Sequence, residues 1–250
     1  MDQDRSPFDL PELMMIIGRF MDKKVLAACV LVSKAWYKTF APFLWETIKL
    51  QERRRYRSKD APLDGFRNTR NWIRSVHIDF HRPTKLYWNE MPILPNLKVL
   101  KTQTMYTSDQ RHITSMLTQH PLITHMDLIF EASLGCIAFW DLIAKQIHLV
   151  ELKLGDIYIQ SENVDAFITI CSRLRSLSLD EIVLDGMLDN AGLPVFPIRD
   201  LSLINMRRQE NNLLLFSNKC PDLETFHCII KRVILALILR FGRLWNLAEA

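Results

Sequence analysis

Glycine is scarce in this 250-residue sequence, and its seven glycines are scattered along the chain. None of them forms the Gly-x-Gly-x-x-Gly or P-loop pattern that brings backbone N–H groups close to a phosphate. The Gly-x-Ser-x-Gly elbow that exposes a nucleophilic serine is missing as well. Because no nucleophile, metal or cofactor set is recognisable, we predict no catalytic residues, no cofactor and a protein that is not an enzyme.

Neither sign of charge dominates, and long apolar runs are missing. The 32 lysines and arginines and 28 aspartates and glutamates give a net charge of +4, which is too balanced to demand a nucleic acid or a membrane as partner. The longest apolar run, residues 233–239, is far shorter than the ~18 residues that a membrane span needs. The first residues, Met1-Asp2-Gln3-Asp4, are polar and acidic, so we expect no secretory signal.

Cysteine is sparse and odd in number, with Cys29, Cys136, Cys171, Cys220 and Cys228. Their mostly apolar neighbours indicate buried thiols in a reduced, intracellular protein, cytoplasmic and/or nuclear. Cys220, His227 and Cys228 invite a zinc interpretation, but a second pair at ligand spacing is missing, so we predict no metal site. The histidines at positions 77, 81, 112, 120 and 125 have no nearby cysteine, and we expect them to be hydrogen-bonded or exposed.

A repeat is the main positive feature of the sequence. From residue 72 onward, seven segments follow or approach the pattern apolar-x-x-apolar-x-apolar, with middle residues Val76, Leu100, Met126, Leu152, Leu177, Leu201 and Phe226. These middle positions are 24 to 26 residues apart, a spacing typical of stacked supersecondary units. The last two apolar residues of each segment alternate with polar neighbours, which predicts strands with one buried face.

Helix-like stretches lie between several of these strands. Their apolar residues stand three, four and seven positions apart, as on one face of a helix: Val164, Phe167, Ile168 and Cys171, then Ile113, Met116 and Leu117, then Leu213, Phe216 and Cys220. Ser161 is placed to cap the helix that contains Phe167. Residues 183–197 include two glycines and two prolines, so we expect this interval to return as a loop.

The stretch from residue 10 to residue 45 has the pattern of three short helices. The apolar faces of the first two are Leu13, Ile16, Ile17 and Phe20, followed by Leu26, Cys29 and Val30. Asp22 and Ser33 are placed as N-caps of the second and third helices, and Pro42 is expected to interrupt the third. About 40 residues are too few to bury this much apolar surface, so we expect part of it to contact a partner.

Three pieces of this stretch carry a family resemblance: Leu10-Pro11-Glu12-Leu13, Val32-Ser33-Lys34-Ala35-Trp36 and Leu44-Trp45. In this order and at these separations they resemble an F-box. That module docks substrate receptors onto the Skp-type adaptor of SCF ubiquitin ligases, and through it onto a cullin scaffold. The resemblance implies an adaptor-binding surface formed by Leu10, Pro11, Leu13, Ile17, Leu26, Val30, Val32, Lys34, Trp36, Leu44 and Trp45.

The repeats resemble leucine-rich repeats, and together the two resemblances imply an α/β fold. A short helical F-box-like module at 6–48 is followed by a basic linker at 49–71. A leucine-rich-repeat solenoid then occupies 72–230, with a curved parallel sheet of about seven strand-plus-helix or strand-plus-loop repeats. The apolar segment 231–250 is either a C-terminal cap or a shortened repeat; as a cap, it is expected to be needed for solubility.

On this fold, the residue after each middle apolar position points onto the concave face of the sheet. These residues are His77, Lys101, Asp127, Lys153, Ser178, Ser202 and His227. The resemblance implies that they bind an unidentified protein substrate for ubiquitin-dependent degradation, but such alternation is also what any solvated sheet face requires. The alternative function is a non-catalytic leucine-rich-repeat scaffold or signalling interaction protein.

Overall fold

The computed structural model consists of three N-terminal helices followed by strands that mostly alternate with helices. The described residues are 10–51, 67–79, 91–105, 110–130, 137–156, 158–181, 183–184, 192–205 and 210–229. The helices are α1 (Pro11–Phe20), α2 (Lys23–Cys29), α3 (Lys34–Trp45), α4 (Gln110–Gln119), α5 (Ile137–Ala144), α6 (Val164–Cys171) and α7 (Glu210–Lys219). The strands are β1 (Thr47–Gln51), β2 (Ser75–Asp79), β3 (Val99–Met105), β4 (His125–Phe130), β5 (Glu151–Gly155), β6 (Tyr158–Ile159), β7 (Ser176–Asp180), β8 (Val183–Leu184), β9 (Asp200–Ile204) and β10 (Thr225–Ile229).

Eight of these strands form one open, all-parallel sheet. Their order is β1-β2-β3-β4-β5-β7-β9-β10, so the strands lie side by side in the order of the chain. The two short strands β6 and β8 pair with each other in a second parallel sheet. Parallel neighbours need a crossover connection, and α4, α5, α6 and α7 lie within such connections. The protein is therefore an α/β protein.

The seven predicted strands and their register are confirmed. The predicted middle residues lie side by side across the sheet: Val76, Leu100, Met126, Leu152, Leu177, Leu201 and Phe226. All of them except Phe226 are buried, and Phe226 on the edge strand β10 is 49% exposed. The even spacing of the sequence therefore corresponds to one continuous apolar row that thins at its C-terminal end.

An eighth strand, β1, precedes the predicted seven. Its Ile48 pairs in register with Val76, and the carbonyl of Glu46 accepts hydrogen bonds from the backbone N–H groups of Arg74 and Ser75 at 2.9 and 3.0 Å. The prediction of a linker from residue 49 onward is wrong for residues 49–51, which belong to this strand. Trp45, Ile48 and Leu50 repeat the apolar pattern of the later strands, but Trp45 also ends helix α3, which concealed the repeat.

Of the predicted helix caps and breaks, two are confirmed and two are wrong. Asp22 caps α2 by accepting hydrogen bonds from two backbone N–H groups, and Ser33 caps α3 through the N–H of Trp36 at 3.2 Å. Ser161 does not cap α6; it begins a 3-10 turn, and Asn163 occupies the N-cap position without a side-chain bond. Pro42 does not interrupt α3, which continues to Trp45: the proline removes one N–H donor without ending the helix.

Buried polar side chains join successive units of the sheet. The ring of His120 accepts a hydrogen bond at Nε2 from the backbone N–H of Leu94 (2.9 Å), while Nδ1 lies 2.7 Å from the carbonyl oxygen of Met116. Gln146 donates through Nε2 to the carbonyl of Leu117 at 2.8 Å. Burial lowers the pKa of His120, which favours the neutral ring that this pair of contacts requires. The expectation of a hydrogen-bonded histidine is confirmed at this position.

Several predictions fall partly or wholly outside the described residues. The predicted loop at 183–197 begins with the short strand β8, and its residues 193–197 run toward β9 without a helix, as predicted; residues 185–191 lie outside the described part of the chain. The C-terminal segment 231–250, residues 6–9 of the predicted module and residues 52–66 of the predicted linker lie outside the described part of the chain. No described helix is long and apolar enough to cross a membrane.

Candidate functional surfaces

The three N-terminal helices have a small core of their own. Met14, Leu26, Cys29 and Phe40 are its buried members. Gly18 lets α1 approach α3 closely, because a Cβ at this position would lie 2.8 Å from the ring of Phe43. This core leaves most of the apolar side chains of α1 without cover.

An apolar surface results on the outside of these helices. We call it the N-terminal apolar surface, and it consists of the exposed residues Leu10, Leu13, Met15, Ile16, Phe20, Val25, Leu31, Val32 and Tyr37. Phe20 and Leu31 are 86% and 85% exposed, which is extreme for side chains of this size. Groups of exposed large apolar side chains such as this one are typical of interaction sites in soluble proteins.

The helices are attached firmly to the start of the sheet. Helix α3 leads into β1 through Glu46 alone, and Trp45 packs against the main core. The ammonium group of Lys23 donates a hydrogen bond to the carbonyl of Thr47 on the edge strand. The rings of Tyr37 and Trp72 meet edge to face, with centroids 6.3 Å apart. The N-terminal apolar surface is therefore held in a defined position relative to the sheet.

A row of polar side chains crosses the open face of the sheet. We call it the polar row, and in register it contains Lys49, His77, Lys101, Asp127, Lys153, Ser178, Ser202 and His227. The neighbouring apolar residues within the strands point to the opposite, buried face, as with Leu152 beside Lys153. Lys101 lies 3.9 Å from Asp127, and Lys153 lies 3.1 Å from Glu151. Such partly exposed ion pairs contribute little to stability and stay available to a ligand.

The basic end of the polar row contains a depression of about 160 Å³. Its charged or titratable lining residues are Lys49, His77, Asp79, Lys101 and Asp127, and its apolar lining includes Ile129. The depression spans β1 to β4, so it lies at the end of the sheet that adjoins the N-terminal helices.

The lysines around this depression act on the ring of His77. Burial lowers the pKa of His77, and the charges of Lys101 and Lys49 lower it further; Asp127 opposes them with a smaller effect, and Lys23 adds to the lowering. The pKa of Lys23 is lowered by burial and then by Lys49. Among the described residues, neither Lys23 nor Lys49 forms an ion pair.

Comparisons of the sequence assign no family. No protein-family model matches the chain, and no curated protein matches it. Function is therefore inferred from the chemistry of the two surfaces.

The predicted adaptor-binding residues fall into three groups by exposure. Leu10, Pro11, Leu13, Val32 and Lys34 are exposed, and Ile17, Val30, Trp36, Leu44 and Trp45 are half-buried. Leu26 is only 3% exposed; its assignment to the binding surface is corrected, because it faces Met14 and Phe40 in the helical core. Trp36 also serves that core, with its ring centroid 5.4 Å from that of Phe40.

Sequence reasoning missed part of the exposed surface. Met15, Val25, Leu31 and Tyr37 did not appear among the predicted contacts, and Ile16 and Phe20 were predicted only as a helix face. Helical periodicity shows that such residues share a face, but it cannot show whether another helix covers that face. The seven predicted residues of the polar row are all half-buried or exposed, and Lys49 extends the row to β1.

The buried thiols have no feature of a reactive or metal-binding site. Burial raises the pKa of Cys220 to about 11 and raises those of Cys171 and Cys228, which disfavours the thiolate that reacts or binds metal. Within the described residues, no group of three or more histidine, cysteine, aspartate or glutamate side chains is arranged to hold a metal ion.

Proposed function

We propose that this chain is the substrate-recognition subunit of an SCF-type ubiquitin ligase. The N-terminal apolar surface docks onto a Skp-type adaptor and through it onto a cullin scaffold, and the polar row faces the protein to be ubiquitylated. In this proposal the chain is not an enzyme. It raises the effective concentration of target lysines near a ubiquitin-loaded conjugating enzyme by binding two partners at once.

The observation that carries the proposal is the concentration of exposed apolar residues on the three helices. Nine of the sixteen large hydrophobic side chains that are exposed in the described structure lie between residues 10 and 37. A functionless cap would be expected to have a polar outer side. The same helices contain the Leu10-Pro11-Glu12-Leu13 and Val32-Ser33-Lys34-Ala35-Trp36 sequences that resemble an F-box. The exposed apolar residues and the sequences that suggest an adaptor as partner therefore lie on the same helices.

The junction between the helices and the sheet supports two separate binding surfaces, one for the adaptor and one for the target protein. The helices contact the sheet through Trp45, Thr47 and Trp72, all at the end of the sheet where β1 lies. A firm junction also limits the volume that a bound target can explore, which favours transfer to particular lysines.

Binding of the full chain to a purified Skp-type adaptor tests the proposal. The wild-type protein is expected to bind at micromolar or lower concentration, as measured by calorimetry. Replacing Leu10 and Pro11 together by alanine is expected to weaken binding by about 2 kcal/mol or more, roughly thirtyfold. Phe20→Ala and Leu31→Ala are expected to act in the same direction, because truncating a well-packed contact removes most of its binding energy.

A matched control uses an exposed apolar residue outside the helices. Ile147 is 71% exposed and follows α5, so Ile147→Ala removes a similar apolar area without touching the N-terminal apolar surface. Adaptor affinity is expected to stay unchanged in this variant. Failure of the wild-type chain to bind any Skp-type adaptor would refute the proposal.

A specific observation favours a second function, that of a scaffold whose helices only cap the sheet. Trp45 packs into the main core and Lys23 hydrogen-bonds the edge strand β1, as a capping element would. On this alternative the adaptor does not bind, and Phe20→Ala and Leu31→Ala leave all partners unaffected. The same calorimetric experiment therefore separates the two functions.

A further inference from the structure

We propose that the depression between β1 and β4 binds one anionic group of an extended peptide, a carboxylate or a phosphate. Lys49 and Lys101 face it from two strands, and Lys23 contributes its charge from α2. The inference rests on the proposed function for the source of the anion, the target protein, but the site itself is defined by its geometry and charge.

The arrangement of charges favours an anion over a cation. Two carboxylates, Asp79 and Asp127, also line the depression. Asp127 already pairs with Lys101 at 3.9 Å, whereas Lys49 and Lys23 have no ion pair among the described residues. Lys49 on β1 and Lys23 on α2 repel each other, and an anion bound close to both side chains would reduce that repulsion.

The size of the depression limits the ligand to a single group. Its volume of about 160 Å³ is well below the ~300 Å³ at which pockets for whole small molecules begin. The floor is a sheet that continues beyond β4, so the rest of the ligand can extend along the polar row toward Lys153 and Ser178. An acidic or phosphorylated side chain of a peptide matches both features.

His77 offers a direct test, because an anion beside it raises its pKa. The ring titration of His77 is followed by NMR in the full chain, with and without sodium sulfate at constant ionic strength. Sulfate is chosen because it keeps its charge across the titration range of histidine. The pKa of His77 is expected to rise by about half a pH unit or more. At a fixed pH, the ring resonances of the distant His227 are expected not to respond to sulfate.

Sulfate binding and protonation of His77 favour each other, and this coupling determines how sulfate binding depends on pH. Since the bound anion favours protonated His77, sulfate must bind more tightly as the pH falls through the titration of His77. The other charged groups that face His77 are Lys23, Lys49, Lys101 and Asp127, and Asp79 also lines the depression.

Lys49→Gln is the decisive variant, because Lys49 is exposed and its loss is not expected to disturb folding. In this variant the pKa of His77 in the free protein is expected to rise, and its response to sulfate to fall at least threefold. Lys145→Gln, an exposed lysine after α5 with no place in the depression, removes the same charge and is expected to behave as the wild type. An unmoved His77 in sulfate, or equal responses in both variants, would overturn the proposal.

Three synthetic peptides then distinguish the sources of the anion. They share one neutral, extended sequence and carry a single phosphoserine, glutamate or serine at the centre. A shift of His77 with phosphoserine alone assigns a phosphorylated ligand, and equal shifts with phosphoserine and glutamate assign an acidic one. The absence of any shift beyond that of the serine peptide would refute a peptide ligand. None of these measurements involves the adaptor, so a failure here is separate from a failure of adaptor binding.

Discussion

Among the described residues, the three N-terminal helices bury four apolar side chains in a core of their own, whereas the sheet and its helices bury thirty-four in one continuous cluster. In the sheet, every added strand covers its predecessor and is covered by its successor, so apolar area is buried at each step. No described element covers the outer side of the helices in this way. Apolar residues therefore stabilise the fold in the sheet, whereas many of those on the three helices stay exposed.

The two regions differ in whether their large apolar side chains are buried or face solvent. Residues such as Leu152 and Leu177 are completely buried between neighbouring strands. Phe20 and Leu31 are just as apolar and face solvent. Substitutions in the two regions should then separate stability from binding.

The largest expected effect is in the middle of the sheet. Leu152 lies between Met126 and Leu177 in register, and Leu152→Ala is expected to lower the free energy of unfolding by about 2–5 kcal/mol because it leaves a cavity. Urea denaturation measures this change. Lys153→Ala, one residue away on the open face, is expected to change stability by less than about 0.5 kcal/mol. Equal losses in the two variants would contradict the assignment of the sheet faces.

A smaller effect, of opposite sign, is expected at Thr102, a buried polar residue of β3. Thr102 lies between Ile78 and Leu128 in register, and its buried hydroxyl has no hydrogen-bond partner. Thr102→Val keeps the shape and removes an unsatisfied polar group, so it is expected to stabilise the protein by about 1 kcal/mol in the same denaturation experiment.

Thr124 provides the matched control for this substitution. Its hydroxyl donates to the carbonyl of Lys98 at 3.2 Å, so Thr124→Val is expected to give no gain in stability. A loss of stability in Thr102→Val would show that the hydroxyl is bonded after all, and that the core of the sheet has no polar defect at this position.

The smallest effect on stability is expected on the N-terminal apolar surface. Phe20→Ala and Leu31→Ala are each expected to change the free energy of unfolding by less than about 0.5 kcal/mol, although both remove large apolar side chains. Leu26→Ala, in the buried core of the same helices, is expected to cost about 2–5 kcal/mol. A large loss at Phe20 would indicate that another part of the chain covers it.

Much of the sheet could be predicted, because each strand carries its own local signal. The step of 24 to 26 residues and the alternation within each segment determine which residues face inward, and the observed register follows them. The caps at Asp22 and Ser33 were predictable for the same reason, since an N-cap bonds backbone groups only two or three residues away.

Strand β1 shows where this local signal becomes ambiguous. Trp45, Ile48 and Leu50 fit the strand pattern, but Trp45 also completes a helix and packs against the main core. The step from Ile48 to Val76 is 28 residues, longer than the later steps. A residue that belongs to two elements cannot be assigned by either pattern alone.

The sequence by itself determined the repeat, its register and the polar row, because these depend on the order of apolar and polar residues within a strand. Only the tertiary structure decided which apolar residues of α1 to α3 stay exposed, since that depends on whether another helix lies over them. It also decided that Lys49 and Lys101 line one depression and that the charge of Lys23 acts on His77 beside them. Their charges come from three separate elements, and only the fold brings residues so far apart in the chain within reach of His77.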